Sequence, residues 1–82
     1  MQSKQNIKDL LFTFIKRKNK KIKIFDVNTN FIENEIIDSI GFLELILYIE
    51  DHYKIEIDFG DLDPSEYTSI NNLSNIIYKT SK

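Results

Sequence analysis

The stretch DSIGFLELILYIEDHY, residues 38–53, carries the strongest structural signal in this sequence. Asp38 and Ser39 are of the types that begin helices, because their side-chain oxygens accept free backbone N–H groups. The apolar residues that follow recur at helical spacing and predict a helix over residues 39–53. Its inner row is Phe42, Leu45, Ile46, Ile49 and Tyr53. A second row is Ile40, Leu43, Leu47 and Glu50, and so wide an apolar surface is expected to stay partly exposed for contacts.

The residues before this helix predict another helix and a long loop. Apolar residues at positions 7, 10, 11, 14 and 15 share one face of a helix over about 4–18, with Ser3 as its N-cap and Asn19 as its end. Residues 20–37 are rich in turn formers, and a short strand there would have no partner. We interpret them as an ordered loop fixed by apolar side chains: Ile24, Phe31, Ile32 and Ile37.

The residues after position 53 predict one short helix and one longer helix. Pro64 suits the first position of a short helical turn capped by Asp63. Thr68 or Ser69 then caps a last helix. The apolar face of that helix is Ile70, Leu73, Ile76 and Ile77. The predicted fold is all-α, a small four-helix bundle with three main helices, a short third helix and a long first loop, in one domain over residues 1–82.

Composition argues against catalytic and metal-binding sites. The 82 residues contain no cysteine, which excludes disulfides, zinc fingers and thiol catalysis by the chain itself. The single histidine, His52, follows Ser39 by thirteen residues on one predicted helix, roughly 20 Å away and out of hydrogen-bond reach. The carboxylates between residues 58 and 66 lack the spacing of a calcium loop. We therefore predict neither a catalytic residue nor a metal ligand.

The charges are unevenly distributed along the chain. Residues 1–23 carry eight cations and one carboxylate, a net +7, whereas residues 24–82 carry three lysines and twelve carboxylates, a net −9. This asymmetry is typical of a surface that meets a charged partner. The basic run Lys16–Lys23 contains no aromatic residue for base stacking, so we interpret it as a helix end and loop and expect no nucleic acid. No apolar run approaches a membrane span, and we expect a cytoplasmic monomer.

Ser39 is the residue whose position suggests chemistry. It lies where the long loop meets the second helix, and the free N–H groups and helix dipole there would stabilise an anionic group on its side chain. On position alone, the simpler interpretation is favoured: Asp38 and Ser39 are ordinary helix-start residues.

Residues 31–57, FIENEIIDSIGFLELILYIEDHYKIEI, resemble the core signature of acyl and peptidyl carrier proteins. That family has an aromatic residue, a short acidic stretch, Asp-Ser-Leu at the start of helix two and Glu-Ile after it. Here Asp38-Ser39-Ile40 stands for Asp-Ser-Leu, and Leu43-Glu44-Leu45 matches an apolar-Glu-Leu step. The other matching positions are Phe31, Glu33, Glu50, Asp51, Tyr53 and Glu56-Ile57. The order and lengths of the helices agree over nearly the whole chain.

The resemblance implies a bundle of the acyl-carrier type that is not an enzyme. A phosphopantetheinyl transferase would move 4′-phosphopantetheine from coenzyme A onto Ser39, next to Asp38. The thiol of this cofactor would hold an acyl or aminoacyl group as a thioester for loading and transfer enzymes. Helix two would be the surface recognised by these partners, through Asp38, Ile40, Glu44, Leu47, Glu50 and Asp51.

Departures from the family pattern bear on the pathway. Gly41 stands where carriers of fatty-acid synthesis usually have an acidic residue, Ile40 replaces leucine, and the Lys16–Lys23 run is unusual for an acidic carrier. These features favour a specialised carrier for polyketide, nonribosomal peptide or aminoacyl chemistry. The alternatives are a housekeeping fatty-acid carrier, an unmodified helical interaction module with Ser39 as a cap, and a small basic nucleic-acid binder.

Overall fold

The computed structural model describes residues 3–22 and 25–81, so the predicted loop contact of Ile24 lies outside the described residues, as does Lys23. It contains three α-helices, Lys4–Lys18 (α1), Ser39–Tyr53 (α2) and Ile70–Thr80 (α3). A single 3₁₀ turn, Pro64–Glu66, lies between α2 and α3. Within these described ranges there is no strand, and the all-α class is confirmed. The predicted short third helix is this one 3₁₀ turn.

The helices begin at the predicted caps. Ser3 Oγ accepts the Asn6 N–H at 3.1 Å at the start of α1, and the Asp38 carboxylate accepts the Gly41 N–H at 2.7 Å at the start of α2. Of the two candidates for α3, Ser69 is the cap, because its Oγ accepts the N–H of residue 72. Each cap satisfies a backbone donor that has no partner inside its helix.

One apolar core joins the helices. α1 packs against both α3 and α2, more extensively against α3. The inner rows predicted for each helix supply most of the core, and the long loop adds three residues to it. Its fully or nearly fully buried members are Ile7, Leu11, Ile15, Phe31, Ile36, Ile37, Leu45, Ile46, Ile49, Ile70, Leu73 and Ile77.

The long loop is held by Phe31. Its side chain is fully buried, and its N–H donates to the Thr68 carbonyl at 2.8 Å, just before α3. Its own carbonyl accepts the N–H groups of Ile36 and Ile37 at 2.9 and 3.1 Å. The loop is therefore ordered by backbone hydrogen bonds as well as by apolar contacts. These interactions fix the position at which α2 begins.

Candidate functional site

Ser39 is the first residue of α2 and its side chain is exposed. The side-chain carboxylate of the neighbouring Asp38 accepts the Gly41 N–H, and the backbone carbonyl of Asp38 accepts the Phe42 N–H at 2.9 Å. Among the described residues, no hydrogen bond engages the Ser39 hydroxyl or the N–H groups of Ser39 and Ile40. The site thus offers an exposed hydroxyl beside two unpaired donors at the positive end of a helix, an arrangement that suits a phosphate group.

Two open clefts flank this helix start. One, of about 310 Å³, includes Ser39 in its wall together with Ile32, Glu35 and Ile37. The other, of about 400 Å³, lies on the α1 side of α2 and is lined by residues that include Lys18 and Ile40. A group attached to Ser39 would therefore emerge beside a cleft, without having to displace a packed side chain.

An exposed apolar row runs along α2 from this point. Ile40 is 71% exposed, Leu43 58% and Leu47 57%, although each is large and aliphatic. We refer to Ile40, Leu43 and Leu47 as the exposed row. The expectation that α2 leaves part of its apolar surface uncovered is confirmed. A contiguous set of this kind on a small domain is typical of a surface that contacts other proteins.

All four carboxylates expected at the partner surface already have partners within the chain. Asp38 caps α2, as described above. Glu44 Oε2 lies 2.6 Å from Lys18 Nζ, and Glu50 Oε2 accepts the Ile57 N–H at 2.8 Å. Asp51 forms a longer, 3.4 Å contact with Lys54, in which both side chains are more than 80% exposed. Glu44 and Asp51 therefore flank the exposed row, whereas Glu50 is half-buried and holds the segment that follows α2.

Lys18 lies beside the start of α2, a position that the sequence analysis did not predict. Besides its pair with Glu44, its ammonium lies 5.5 Å from the centre of the Phe14 ring. Phe14 in turn stacks on Tyr48 of α2, with ring centroids 5.2 Å apart. The signal in the sequence was its spacing: position 18 lies three residues after the buried Ile15 and so borders the face of α1 that meets the other helices.

Gly41 is buried against the cap of α2. A Cβ at this position would lie 3.1 Å from Asp38 Oδ1 and 3.5 Å from the Ile37 Cβ. The first distance is shorter than ordinary van der Waals contact, so any larger residue here would push on the capping carboxylate. The close packing at the start of α2 thus favours glycine at position 41, the position at which the sequence departs from the pattern of fatty-acid carriers.

Aromatic rings of the loops pack against Phe42 of α2. Phe42 packs against Phe31 of the long loop, with ring centroids 5.9 Å apart, and against Tyr67 at 5.8 Å. Phe59 and Tyr67 lie 4.3 Å apart. At the other end of α2, burial raises the pKa of the Tyr53 hydroxyl above its ordinary value, with a further contribution from Tyr48.

The described residues contain no group of three or more side chains placed to hold a metal ion. Over the same part of the chain, no helix is both long and apolar enough to span a bilayer.

Comparison with known proteins agrees with this geometry. The family model of the phosphopantetheine attachment site matches residues 7–77, which is most of the chain, and the chain belongs to this family. It is a carrier domain, and 4′-phosphopantetheine is the group that such domains bear covalently. No curated protein matches the chain. The residues at the start of α2 fit the group, because an exposed hydroxyl and two unpaired N–H groups lie together there.

Proposed function

We propose that Ser39 is the attachment residue and that the chain presents acyl or aminoacyl groups to partner enzymes. A phosphopantetheinyl transferase joins the Ser39 oxygen to the phosphate of 4′-phosphopantetheine, releasing the nucleotide part of coenzyme A and the hydroxyl proton. When bound, the cofactor supplies a thiol that carries the cargo as a thioester. The chain itself is not the catalyst in this proposal.

One observation carries the assignment to Ser39. Its exposed hydroxyl has no partner among the described residues and lies at the N-terminus of α2, where the N–H groups of Ser39 and Ile40 point out of the helix unpaired. The phosphate formed on Ser39 would be stabilised by these donors and by the helix dipole. The neighbouring Asp38 contributes by capping the helix and so fixing these donors in place.

We propose further that partner enzymes dock on α2. The docking face consists of the exposed row together with Glu44 and Asp51, and Glu50 borders it. Basic groups of a partner would approach the two carboxylates while its apolar groups cover Ile40 and Leu47, and such charges act more on encounter than on affinity. The partners are the transferase and the enzymes that load and unload the cargo. A single domain over residues 1–82, a monomer and a cytoplasmic location stay predictions.

The pathway is proposed to be a specialised one. Support comes from Gly41, which replaces the acidic residue usual in fatty-acid carriers and is packed tightly against Asp38. The mass of the cargo on the protein isolated from its own cells tests this point. An aminoacyl or modified acyl group supports it, and a ladder of saturated fatty acyl chains would favour the housekeeping alternative.

The attachment is tested by incubating the protein with coenzyme A and a phosphopantetheinyl transferase and measuring the intact mass. We expect a gain equal to one phosphopantetheine group in the wild type and none in Ser39→Ala. Ser65→Ala is the matched control, since Ser65 is also exposed but lies in the 3₁₀ turn, and it should be modified like the wild type. A gain that persists in Ser39→Ala would refute the assignment.

A further inference from the structure

The docking face contains a cation of this chain itself, and its position suggests a role in the choice of partners. Lys18, from the last turn of α1, reaches α2 and pairs with Glu44 Oε2 at 2.6 Å. Glu44 follows Ile40 by one helical turn and precedes Leu47 by three residues, so it lies directly beside the exposed row. A basic group of a partner that approaches Glu44 therefore meets a carboxylate that already has a cation.

Lys18 is held at this place by more than the ion pair. Its ammonium lies 5.5 Å from the centre of the Phe14 ring, and Phe14 stacks on Tyr48 of α2. Its side chain is 37% exposed and that of Glu44 49% exposed, in contrast to the Asp51–Lys54 contact, where both exceed 80%. The Lys18–Glu44 pair is thus shorter and less solvated than the Asp51–Lys54 contact, so its attraction is screened less by water and salt.

We propose that Lys18 is a specificity-determining residue, which withholds Glu44 from the cations of partner enzymes. The proposal rests on the docking face described under the proposed function. A partner that relies on a strongly basic patch must displace Lys18 or leave Glu44 unused, whereas a partner that relies on apolar contact with the exposed row loses nothing. The chain therefore selects partners mainly by apolar fit to the exposed row, and Asp51 is the more exposed carboxylate left for a basic group of the partner.

The test measures kcat/KM of Ser39 modification by a phosphopantetheinyl transferase, with coenzyme A in excess, as a function of salt. Lys18→Met removes the charge and keeps most of the side-chain length. Lys16→Met is the matched control, because Lys16 is exposed on the same helix and its loss changes the net charge equally. Both substitutions are repeated in a Glu44→Gln background, and thermal melting verifies that each variant is folded.

We expect Lys18→Met to raise kcat/KM about two- to fivefold over Lys16→Met at low salt, the range in which surface ion pairs change equilibria. The gain should lie in KM and should vanish at about 1 M salt, where charges are screened within about 3 Å. In the Glu44→Gln background the two lysine variants should behave alike. A Lys18→Met effect no larger than that of Lys16→Met, or one that persists without Glu44, overturns the proposal.

The outcome also separates this proposal from the assignment of Ser39. If the wild type is modified and the lysine variants do not differ, only the role of Lys18 is refuted. If neither the wild type nor any variant gains mass, the proposed function fails and the role of Lys18 fails with it.

Discussion

The hydrogen bond from the Ile57 N–H to Glu50 leads to a stability prediction that separates two carboxylates one residue apart. The 2.8 Å bond connects the last turn of α2 to the segment that follows it. The Ile55 N–H also donates to the Glu50 carbonyl, at 3.1 Å, so the chain reverses around this residue. Asp51 has no comparable role, since its contact with Lys54 is 3.4 Å long and its side chain is 85% exposed.

The expected magnitudes follow from these contacts. Hydrogen bonds to charged groups contribute about 1.5–3 kcal/mol to stability, and the half-buried position of Glu50 favours the lower end, about 1.5 kcal/mol. A domain of this length has a free energy of unfolding of roughly 4–12 kcal/mol. Glu50→Ala should therefore lower the melting temperature by about 6–12 °C. Asp51→Ala should lose less than about 0.5 kcal/mol, as exposed ion pairs do.

Urea denaturation followed by circular dichroism measures the difference. With a slope of about 1 kcal/mol per molar urea, Glu50→Ala should shift the midpoint by about 1.5 M, and Asp51→Ala by less than about 0.5 M. Glu50→Gln keeps an oxygen that accepts the Ile57 N–H, so it should lie between them. Equal midpoints for Glu50→Ala and Asp51→Ala would refute the structural role of Glu50 and make it equivalent to Asp51, a surface carboxylate without a structural partner.

Two further predictions concern the ends of α2. Gly41→Ala should change the free energy of unfolding by less than about 1 kcal/mol, because the better helix propensity of alanine is offset by the close contact of its Cβ with the capping carboxylate of Asp38. In an Asp38→Ala background that contact is absent, so the same substitution should stabilise the protein by about 1 kcal/mol in urea melts. Burial, and then Tyr48, raise the pKa of Tyr53, so its contribution to stability is complete below pH 10.0 and is lost as the pH rises through the folded-state value. Above pH 10.0 the stability of Tyr53→Phe should therefore fall less steeply than that of the wild type, and parallel curves would contradict this.

The helices could be predicted from the sequence because each one combines an apolar periodicity with a short polar cap. Ser3, Asp38 and Ser69 all cap as expected, and each helix that they begin buries the central part of its predicted inner face. The path of the long loop could not be predicted in the same way. It depends on hydrogen bonds between residues far apart in sequence, such as that from the Phe31 N–H to the Thr68 carbonyl, and periodicity carries no information about them.

The position of Ser39 could also be predicted, since an N-cap pair before an apolar run fixes the start of a helix locally. The electrostatics of the proposed docking face could not be predicted. The sequence places the cations of residues 16–23 far from the carboxylates of α2 along the chain, and only the packing of α1 on α2 brings Lys18 to Glu44. A net charge counted over segments therefore overstated the acidic character of this surface, because it counted as free a carboxylate that is neutralised within the fold.

The lack of cysteine has a chemical consequence in a carrier domain, because the cofactor of such domains carries its cargo on a thiol. These 82 residues contain no thiol, so the thiol of the attached cofactor would be the only one that this part of the chain carries. A thioester exchanges readily with a neighbouring thiolate, and a cysteine near the exposed row would compete with the cofactor for the cargo. Without one, these residues offer no thiolate of their own to which the cargo could be lost. The same composition that excludes catalysis by a thiol of the chain would thus help to keep the cargo on the cofactor, which is proposed to be attached to Ser39 at the start of α2.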